Sequence, residues 1–323
     1  MANTSRRDRR ERAPSRARTS PPSEKTSYVD RPPRMLERRP DELADLRIGP
    51  SRNACPGPPR AMNFATRLPE VLALKYGSLS SAGWSPRLRA AFSYITPDDW
   101  YEAMVFDLVT PETWWLDVGC GRAVFPANAG AATALAARCQ RLIGIDPSDN
   151  VYENDVVHER VNTSLERYHP DRQFDLVTLR MVVEHIEDPP AAIEALARLT
   201  APGGRVVVYT VDKWSPASKV AAMTSLRVHH AAKRVLWRTE ERDTFPTVYR
   251  MNTRRTLARL FSGAGFREES FQRLDDCRAF ARWWITSAGE LALWRLLRGV
   301  GLPYPEACLL GTYRKSGEER AHP

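Results

Sequence analysis

The chain has 323 residues, of which 42% are apolar, so it is long enough to bury a large core and still carry extensions. No apolar run reaches the length that spans a bilayer and the N-terminus has no hydrophobic signal region, so we expect a cytoplasmic protein without a transmembrane segment. Its five cysteines lie far apart without C-x-x-C spacing. This favours free thiols over a disulfide framework or a zinc site, and we expect no metal.

The net charge of +9 is concentrated in residues 1–60, which hold 15 Lys and Arg against 8 Asp and Glu, whereas the remainder holds 33 against 31. This segment also contains 10 of the 25 prolines and few apolar residues, so we predict a disordered tail. Such a tail can contact nucleic acid or anionic lipid. However, Tyr28 is its only aromatic residue for base stacking. We interpret it as a solvated arm, or as sequence upstream of a later start at Met35 or Met62, and do not expect a nucleic-acid partner.

A helical N-terminal cap is predicted over residues 61–110. Its helices are Leu68 to Tyr76, Pro86 to Tyr94 and Thr96 to Leu108, the last opening on a Thr-Pro-Asp-Asp start signal. Trp100 and Tyr101 are candidate pocket-lining residues, although aromatics at helical spacing are also typical of a core.

The nine residues from Trp114 to Arg122, WWLDVGCGR, read as a short strand that breaks into a glycine turn. An Ala-rich helical stretch follows over residues 128–140, and then a second short strand, 141–145, that ends at Asp146. Two glycines let the backbone close tightly around a ligand, and an acid after the second strand suits the hydroxyls of a ribose. This unit is compatible with a nicotinamide dinucleotide or with S-adenosylmethionine.

Two details separate these ligands. A dinucleotide motif needs a third glycine where this chain has Val124. Asp117, two residues before Gly119, would repel a pyrophosphate but can hold the ammonium of an amino acid.

Here the sequence resembles the class I S-adenosylmethionine-dependent methyltransferases, whose first motif is an acid followed by G-x-G-x-G. Asp117, Gly119 and Gly121 match this motif, with Ala123 at the third glycine. The resemblance implies S-adenosyl-L-methionine as cofactor. The implied cofactor-binding residues span the motif, the second acid and the end of the fourth strand: Asp117, Gly119, Cys120, Gly121, Asp146, Pro147 and Arg180.

A third strand is predicted over Val156 to Asn162 and a fourth over Phe174 to Leu179. Many relatives place an acid after the third strand to contact adenine, and this position holds a hydroxyl residue here. Adenine recognition then falls to backbone groups, to Thr163 or Ser164, or to Glu166.

The run after the fourth strand, RMVVEHIEDP over residues 180–189, is similar to small-molecule methyltransferases of the ubiquinone/menaquinone-biosynthesis type. His185 is the candidate general base because imidazoles exchange protons near neutral pH, the alternative being a histidine that fixes the loop. Arg180 either orients an anionic substrate or pairs with Glu184.

A helix to Leu199, a Pro-Gly-Gly turn and a fifth strand, Arg205 to Val211, complete the landmarks of the resemblance. The following insertion, about residues 212–252, reads as a helix, Trp214 to Trp237, and a polar loop. Insertions at this place commonly select the substrate in this fold. The candidate substrate contacts are Tyr249, Asn252, His229 and Asp243.

The C-terminal part is predicted as a helix, Thr253 to Ser262, a sixth strand, Arg267 to Leu274, and a last strand, Cys308 to Lys315. Between these strands lies a second insertion, about residues 278–304, whose core from Phe280 to Leu302 is helix-rich and aromatic. Burial, a greasy substrate, a partner subunit or peripheral contact with a membrane are compatible with this composition.

We therefore expect an α/β fold, a doubly wound, mostly parallel seven-stranded Rossmann-like sheet with the last strand antiparallel, in a methyltransferase domain spanning residues 111–323. The expected activity is methyl transfer to oxygen, carbon or nitrogen of a small-molecule acceptor. Alternatives are an RNA or protein methyltransferase recruited through the tail, or a non-catalytic adenosylmethionine-binding module.

Overall fold

A computed structural model describes residues 64–223 and 247–317. The basic tail lies outside these residues, so its predicted character stays a prediction. In the described part no helix is both long and apolar enough to cross a membrane.

Eight helices and seven strands make up the described regular structure, apart from short 3-10 turns. The helices are α1 (Leu68–Tyr76), α2 (Trp84–Ala91), α3 (Pro97–Leu108), α4 (Ala129–Arg138), α5 (Pro189–Leu199), α6 (Pro216–Met223), α7 (Arg254–Gly263) and α8 (Trp284–Gly299). The strands are β1 (Trp114–Val118), β2 (Arg141–Asp146), β3 (Glu159–Asn162), β4 (Phe174–Arg180), β5 (Thr200–Val211), β6 (Phe266–Asp275) and β7 (Ala307–Lys315).

The seven strands form one sheet in the order β3-β2-β1-β4-β5-β7-β6. The first five pair in parallel, and β7 runs antiparallel between β5 and β6. The predicted doubly wound sheet with an antiparallel last strand is therefore confirmed. Because the chain order reverses between β1 and β4, the carboxyl ends of these central strands border one crevice.

Helices cover both faces of the sheet, which explains why the central strands are apolar on both sides. Along β5, Val207 and Tyr209 face the core formed with α1, α3 and α4, whereas Val206 and Val208 face the core formed with α5 and α7. A third, smaller core joins α8 to Tyr94 beside α2.

Most predicted elements are confirmed, although several boundaries differ from the prediction. The second helix, predicted over Pro86 to Tyr94, spans Trp84–Ala91. The third strand begins at Glu159, three residues later than predicted. β5 begins at Thr200 and contains the predicted Pro-Gly-Gly turn, since Gly203 has φ of +78° and the pairing with β4 shifts register at this place. The helix predicted from Trp214 begins at Pro216, where proline suits a first helical position, and most of its predicted length lies outside the described residues.

A buried ion pair ties the N-terminal helices to the domain. Lys75 on α1 lies 2.7 Å from Asp99 and 3.0 Å from Glu102 on α3, with side chains only 3–4% exposed. The side-chain amide of Asn128 donates to Glu102 at 2.8 Å, and its oxygen caps α4 by accepting from Ala131. Helices α1, α3 and α4 are thus held together by one polar cluster.

Replacing Lys75 with alanine leaves two buried carboxylates without their cation. We expect Lys75→Ala to lower the free energy of unfolding by about 3 kcal/mol in urea denaturation. The double variant Lys75→Ala, Glu102→Gln should recover part of this loss, because it removes one uncompensated charge. A loss below about 1 kcal/mol for Lys75→Ala would show that the pair behaves like an exposed one.

Candidate active site

The glycine turn after β1 requires its glycines. Gly119 and Gly121 have φ of +67° and +47°, in the left-handed region. A Cβ on Gly119 would overlap Cγ2 of Val182, whereas the space beside Gly121 is open to 4 Å. The N–H groups of Gly119 and Cys120 both donate to the carbonyl of Ile145, at 2.8 and 3.2 Å. The turn is therefore fixed to β2 below and covered by the loop after β4, and it leaves room at Gly121.

Asp146 closes this turn from the end of β2. Its carboxylate is 6% exposed and accepts the N–H of Gly121 at 3.0 Å and the N–H of Ser148, beyond Pro147, at 2.8 Å. Asn154 donates to the carbonyl of Gly121 at 3.3 Å from the other side. The carboxylate thus lies at the crevice between the first two strands, where a ribose binds in nucleotide-binding sheets.

Cys120 contributes its backbone N–H to the glycine turn, and its thiol is buried. Its Sγ would lie 2.7 Å from a Cβ on Gly144, so the glycine in β2 makes room for it. Burial raises the pKa of Cys120 well above its ordinary value, with the charges of Asp117 and Asp146 adding to the rise. This thiol is therefore not an activated nucleophile.

Asp117 is an acid buried beneath the crevice. It is 2% exposed and accepts a 2.6 Å hydrogen bond from the hydroxyl of Thr178, which itself accepts from the indole of Trp115. Burial raises the pKa of Asp117 to about 7, while the Thr178 hydrogen bond and Arg180 act against the rise and Asp146 adds to it. The group can therefore exchange a proton near neutral pH and gain from a cationic ligand.

Tyr101 belongs to the core but carries an unsatisfied hydroxyl. Its ring is fully buried and stacks on Tyr209 at 5.1 Å, with Phe125 edge-on at 5.8 Å. Among the residues that the structure describes, its hydroxyl has no hydrogen-bond partner. Burial raises its pKa well above the ordinary value, and the charge of Asp117 contributes. Trp100, the other predicted lining residue, packs edge-on against Phe64 at 5.8 Å at the margin of the core.

Arg180 lies at the carboxyl end of β4 and pairs with Asp98 on α3 at 3.1 Å. Among the described ion pairs Arg180 bonds Asp98 and not Glu184, which accepts from a hydroxyl on β5 and is affected only by the charge of Arg180. Arg278 also bonds Asp98, and two of its nitrogens donate to the carboxylate of Asp276 at 2.6 and 2.8 Å. Burial favours protonation of Asp98, but Arg278 and Arg180 outweigh it and hold the pKa of that carboxyl well below its usual range.

The loop after β4 turns sharply at Met181, whose φ is +53°. Glu184 in this loop is 5% exposed and accepts a 2.8 Å hydrogen bond from Thr210, and burial raises its pKa while the neighbouring His185 opposes the rise. His185 closes a 3-10 turn by donating its N–H to the carbonyl of Val182 at 2.9 Å, and its side chain is partly exposed. The predicted base therefore lies beside a buried carboxyl at the crevice.

The predicted substrate contacts are only partly brought together. Asn252 is 1% exposed and donates its amide to Thr210 at 2.7 Å, while its amide oxygen has no partner in the described part of the chain. Tyr249 is 9% exposed, has φ of +50°, and donates its N–H to the carbonyl of Glu184 at 3.2 Å. His229 and Asp243 lie outside the described residues.

The predicted adenine-side residues follow β3, where Thr163 donates its N–H to the carbonyl of Asp146 at 3.0 Å. Across residues 64–223 and 247–317, no group of three or more acidic, His or Cys side chains is placed to hold a metal ion.

The sequence analysis did not identify the residues that hydrogen-bond or ion-pair with the predicted site residues. Thr178 is detectable in principle, because it lies opposite Asp117 in the β1–β4 register and both alternate with apolar neighbours. The local sequence around Asp98 indicates only a helix start, and no neighbouring residue indicates its ion pair with Arg278. No residue near Asn154 in the sequence indicates that it contacts the glycine turn.

Comparison with known proteins gives a family match over most of the central chain. The family model described as "Methyltransferase domain" matches residues 87–270. The ubiquinone biosynthesis O-methyltransferase of Klebsiella pneumoniae (strain 342) is 32% identical over 104 residues, covering 30% of this chain and 42% of that protein. The protein of the same name from Thiobacillus denitrificans is 34% identical over 109 residues, covering 30% and 44%. The chain thus spans about two fifths of the length of these relatives.

Two solved structures that match this chain have low sequence identity to it. The N-methyltransferase NodS from Bradyrhizobium japonicum WM9 superposes with a TM-score of 0.39 at 16% identity, covering 67% of this chain and 94% of that one. A geranyl diphosphate methyltransferase in complex with GPP and sinefungin gives a TM-score of 0.43 at 14% identity, covering 71% and 80%.

The buried acid predicts a pH-dependent stability. Because the pKa of Asp117 is raised from 3.8 to about 7 on folding, the folded state binds more protons in this window. The contribution of Asp117 to stability is therefore most favourable below pH 4, becomes less favourable as pH rises towards 7, and includes the full cost of burying the charge above pH 7. Asparagine keeps the acceptor for Thr178 without the charge.

We expect Asp117→Asn to raise the free energy of unfolding at pH 8 and to leave it nearly unchanged at pH 4, measured by urea denaturation. The exposed Asp171→Asn is the control and should shift neither value. A destabilised Asp117→Asn at pH 8 would contradict the assigned burial cost.

Proposed function

The chain belongs to the methyltransferase domain family, and on this premise we propose that it transfers a methyl group from S-adenosyl-L-methionine to a small-molecule acceptor. The observation that carries the proposal is the hydrogen bond from Gly121 to Asp146, which sets an open glycine turn against a buried acid at the carboxyl ends of β1 and β2. This arrangement suits the ribose and the amino-acid moiety of the cofactor better than a pyrophosphate.

The donor set fits this cofactor. Asp146 accepts two backbone N–H groups that fix its orientation, and a carboxylate is the acceptor that suits vicinal ribose hydroxyls. Asp117 offers a carboxylate to the α-ammonium, whose charge would favour the ionised form of a group titrating near 7. The orphaned hydroxyl of Tyr101 is the kind of buried polar atom that a bound ligand or water satisfies. Backbone at Gly119, Cys120 and Pro147 shapes the same cradle.

The cofactor, when bound, supplies the reactive methyl sulfonium, and the protein residues orient the acceptor and exclude water. Arg180 ends β4 and His185 lies in the loop after it, on the side of the crevice that we assign to the acceptor. Tyr249 is hydrogen-bonded to Glu184 of this loop, and Asn252 to Thr210 on β5. Where the methyl acceptor must lose a proton to become nucleophilic, His185 takes up that proton. A small molecule is favoured over a nucleic acid because residues 61–323 carry a nearly balanced 33 basic and 31 acidic residues.

Filling the open space at the glycine turn should weaken cofactor binding. We expect Gly121→Leu to weaken S-adenosylmethionine binding by about tenfold or more in calorimetric titration, because the side chain enters the cradle beside Asp146. Gly265→Leu is the matched control, since Gly265 has φ of +78° with open space in a remote turn and imposes comparable backbone strain. Equal affinities of the two variants would remove the turn from the cofactor site.

Replacing the candidate base separates chemistry from binding. With an acceptor identified by transfer of a labelled methyl group, His185→Ala should lower kcat by about a hundredfold or more and leave cofactor affinity unchanged. Retained turnover would reassign His185 to fixing the loop after β4. A parallel loss of stability would support that structural role, so the unfolding midpoint is measured alongside.

A further inference from the structure

An exposed apolar surface lies on the segment 280–302, which contains none of the residues of the proposed site. Of the eleven large apolar side chains that are exposed in the described part of the chain, eight belong to this segment. They are Phe280, Trp283, Trp284, Ile285, Leu293, Leu296, Val300 and Leu302. Scattered exposed apolar residues are ordinary, but a cluster of this kind marks an interaction surface.

Helix α8 is apolar on two opposite faces. Its inner face is formed by Leu291 and Trp294, which pack with Tyr94 in the third core. Its outer face carries Ile285 and Leu296, exposed to 74% and 64%. A helix on the surface of a globular protein usually has one apolar face towards the core and a polar face towards water, so a second, exposed apolar face on α8 indicates contact with another apolar medium.

The exposed charges within the segment 280–302 have one sign. Glu290, the only acid in the segment, is 5% exposed and is held by the N–H groups of the preceding turn and by the hydroxyl of Tyr304. The basic residues Arg282, Arg295 and Arg298 are exposed, and two of them lie over tryptophan rings at 5.1 Å. Apolar side chains, interfacial tryptophans and flanking arginines without exposed acids are the composition of a helix that lies in a bilayer surface.

We propose that α8 and the preceding aromatic turn dock on the surface of an anionic phospholipid bilayer. The outer apolar residues enter the boundary between headgroups and acyl chains, Trp283 and Trp284 lie at headgroup level, and the arginines pair with lipid phosphates. The surface does not depend on the methyl-transfer proposal, because it shares no residue with the crevice.

A second copy of the chain fits this surface less well. A two-fold contact through α8 would bring the arginines of both copies to the rim of one interface, with no exposed acid within the segment to pair with them. An anionic bilayer offers both the apolar medium and the opposite charge.

The test is co-sedimentation of the full chain with vesicles of phosphatidylcholine alone or with about one third phosphatidylglycerol. We expect binding to the anionic vesicles that weakens with added salt, and about a tenfold loss of affinity in the triple variant Ile285→Gln, Leu293→Gln, Leu296→Gln. Tyr152→Gln is the matched control, because Tyr152 is 59% exposed on a different part of the surface. The basic tail is present in every variant and contributes equally.

Two results would overturn the proposal. One is equal vesicle binding by the triple variant and the wild type, which would assign lipid contact to the tail. The other is a wild-type dimer in analytical ultracentrifugation that the triple variant abolishes, without loss of vesicle binding, which would assign α8 to a second copy. Unchanged circular dichroism and unfolding midpoint of the triple variant exclude misfolding as the cause of either outcome.

Discussion

The hydrogen bond between the N–H of Gly121 and the carboxylate of Asp146 joins the ends of β1 and β2 at 3.0 Å, and the geometry of the crevice depends on it. It needs a left-handed residue at Gly121 and a buried acid at the end of β2, and both are present. The turn is fixed further by the Ile145 carbonyl beneath it and by Val182 against Gly119. A ligand therefore meets a preformed backbone, and little conformational freedom is lost on binding.

Around this turn the protein gathers carboxylates that would be costly to bury alone, and each is compensated differently. Asp98 has two arginines and stays ionised, whereas burial drives Asp117 and Glu184 towards the neutral form, opposed mainly by the Thr178 hydroxyl at Asp117 and by the neighbouring His185 at Glu184. Groups whose environments push their pKa values apart are typical of sites that distinguish charged parts of a ligand. The same polar contacts attach α3 and the segment after β6 to the crevice, so site and cap are stabilised together.

Much of this architecture follows from local sequence signals. The acid before two glycines, the apolar runs of β1, β2 and β4, and the capping pattern that starts α3 are all encoded within a few residues, and the structure places them as expected. What local sequence cannot provide is the set of partners between distant segments. Arg180 meets Asp98 from 82 positions away and Asp98 meets Arg278 from 180, because only the assembled fold brings α3, β4 and the segment after β6 together. The outward apolar face of α8 was equally ambiguous, since burial and exposure depend on what packs against a helix.

Calorimetric titration of the full chain with S-adenosylmethionine and, separately, with NAD shows which cofactor the glycine turn and its two acids bind. The crevice described here predicts micromolar binding of S-adenosylmethionine and no detectable binding of NAD, because Asp117 complements an ammonium and repels a pyrophosphate. Binding of NAD, with no binding of S-adenosylmethionine, would contradict the assignment of the glycine turn and its two acids.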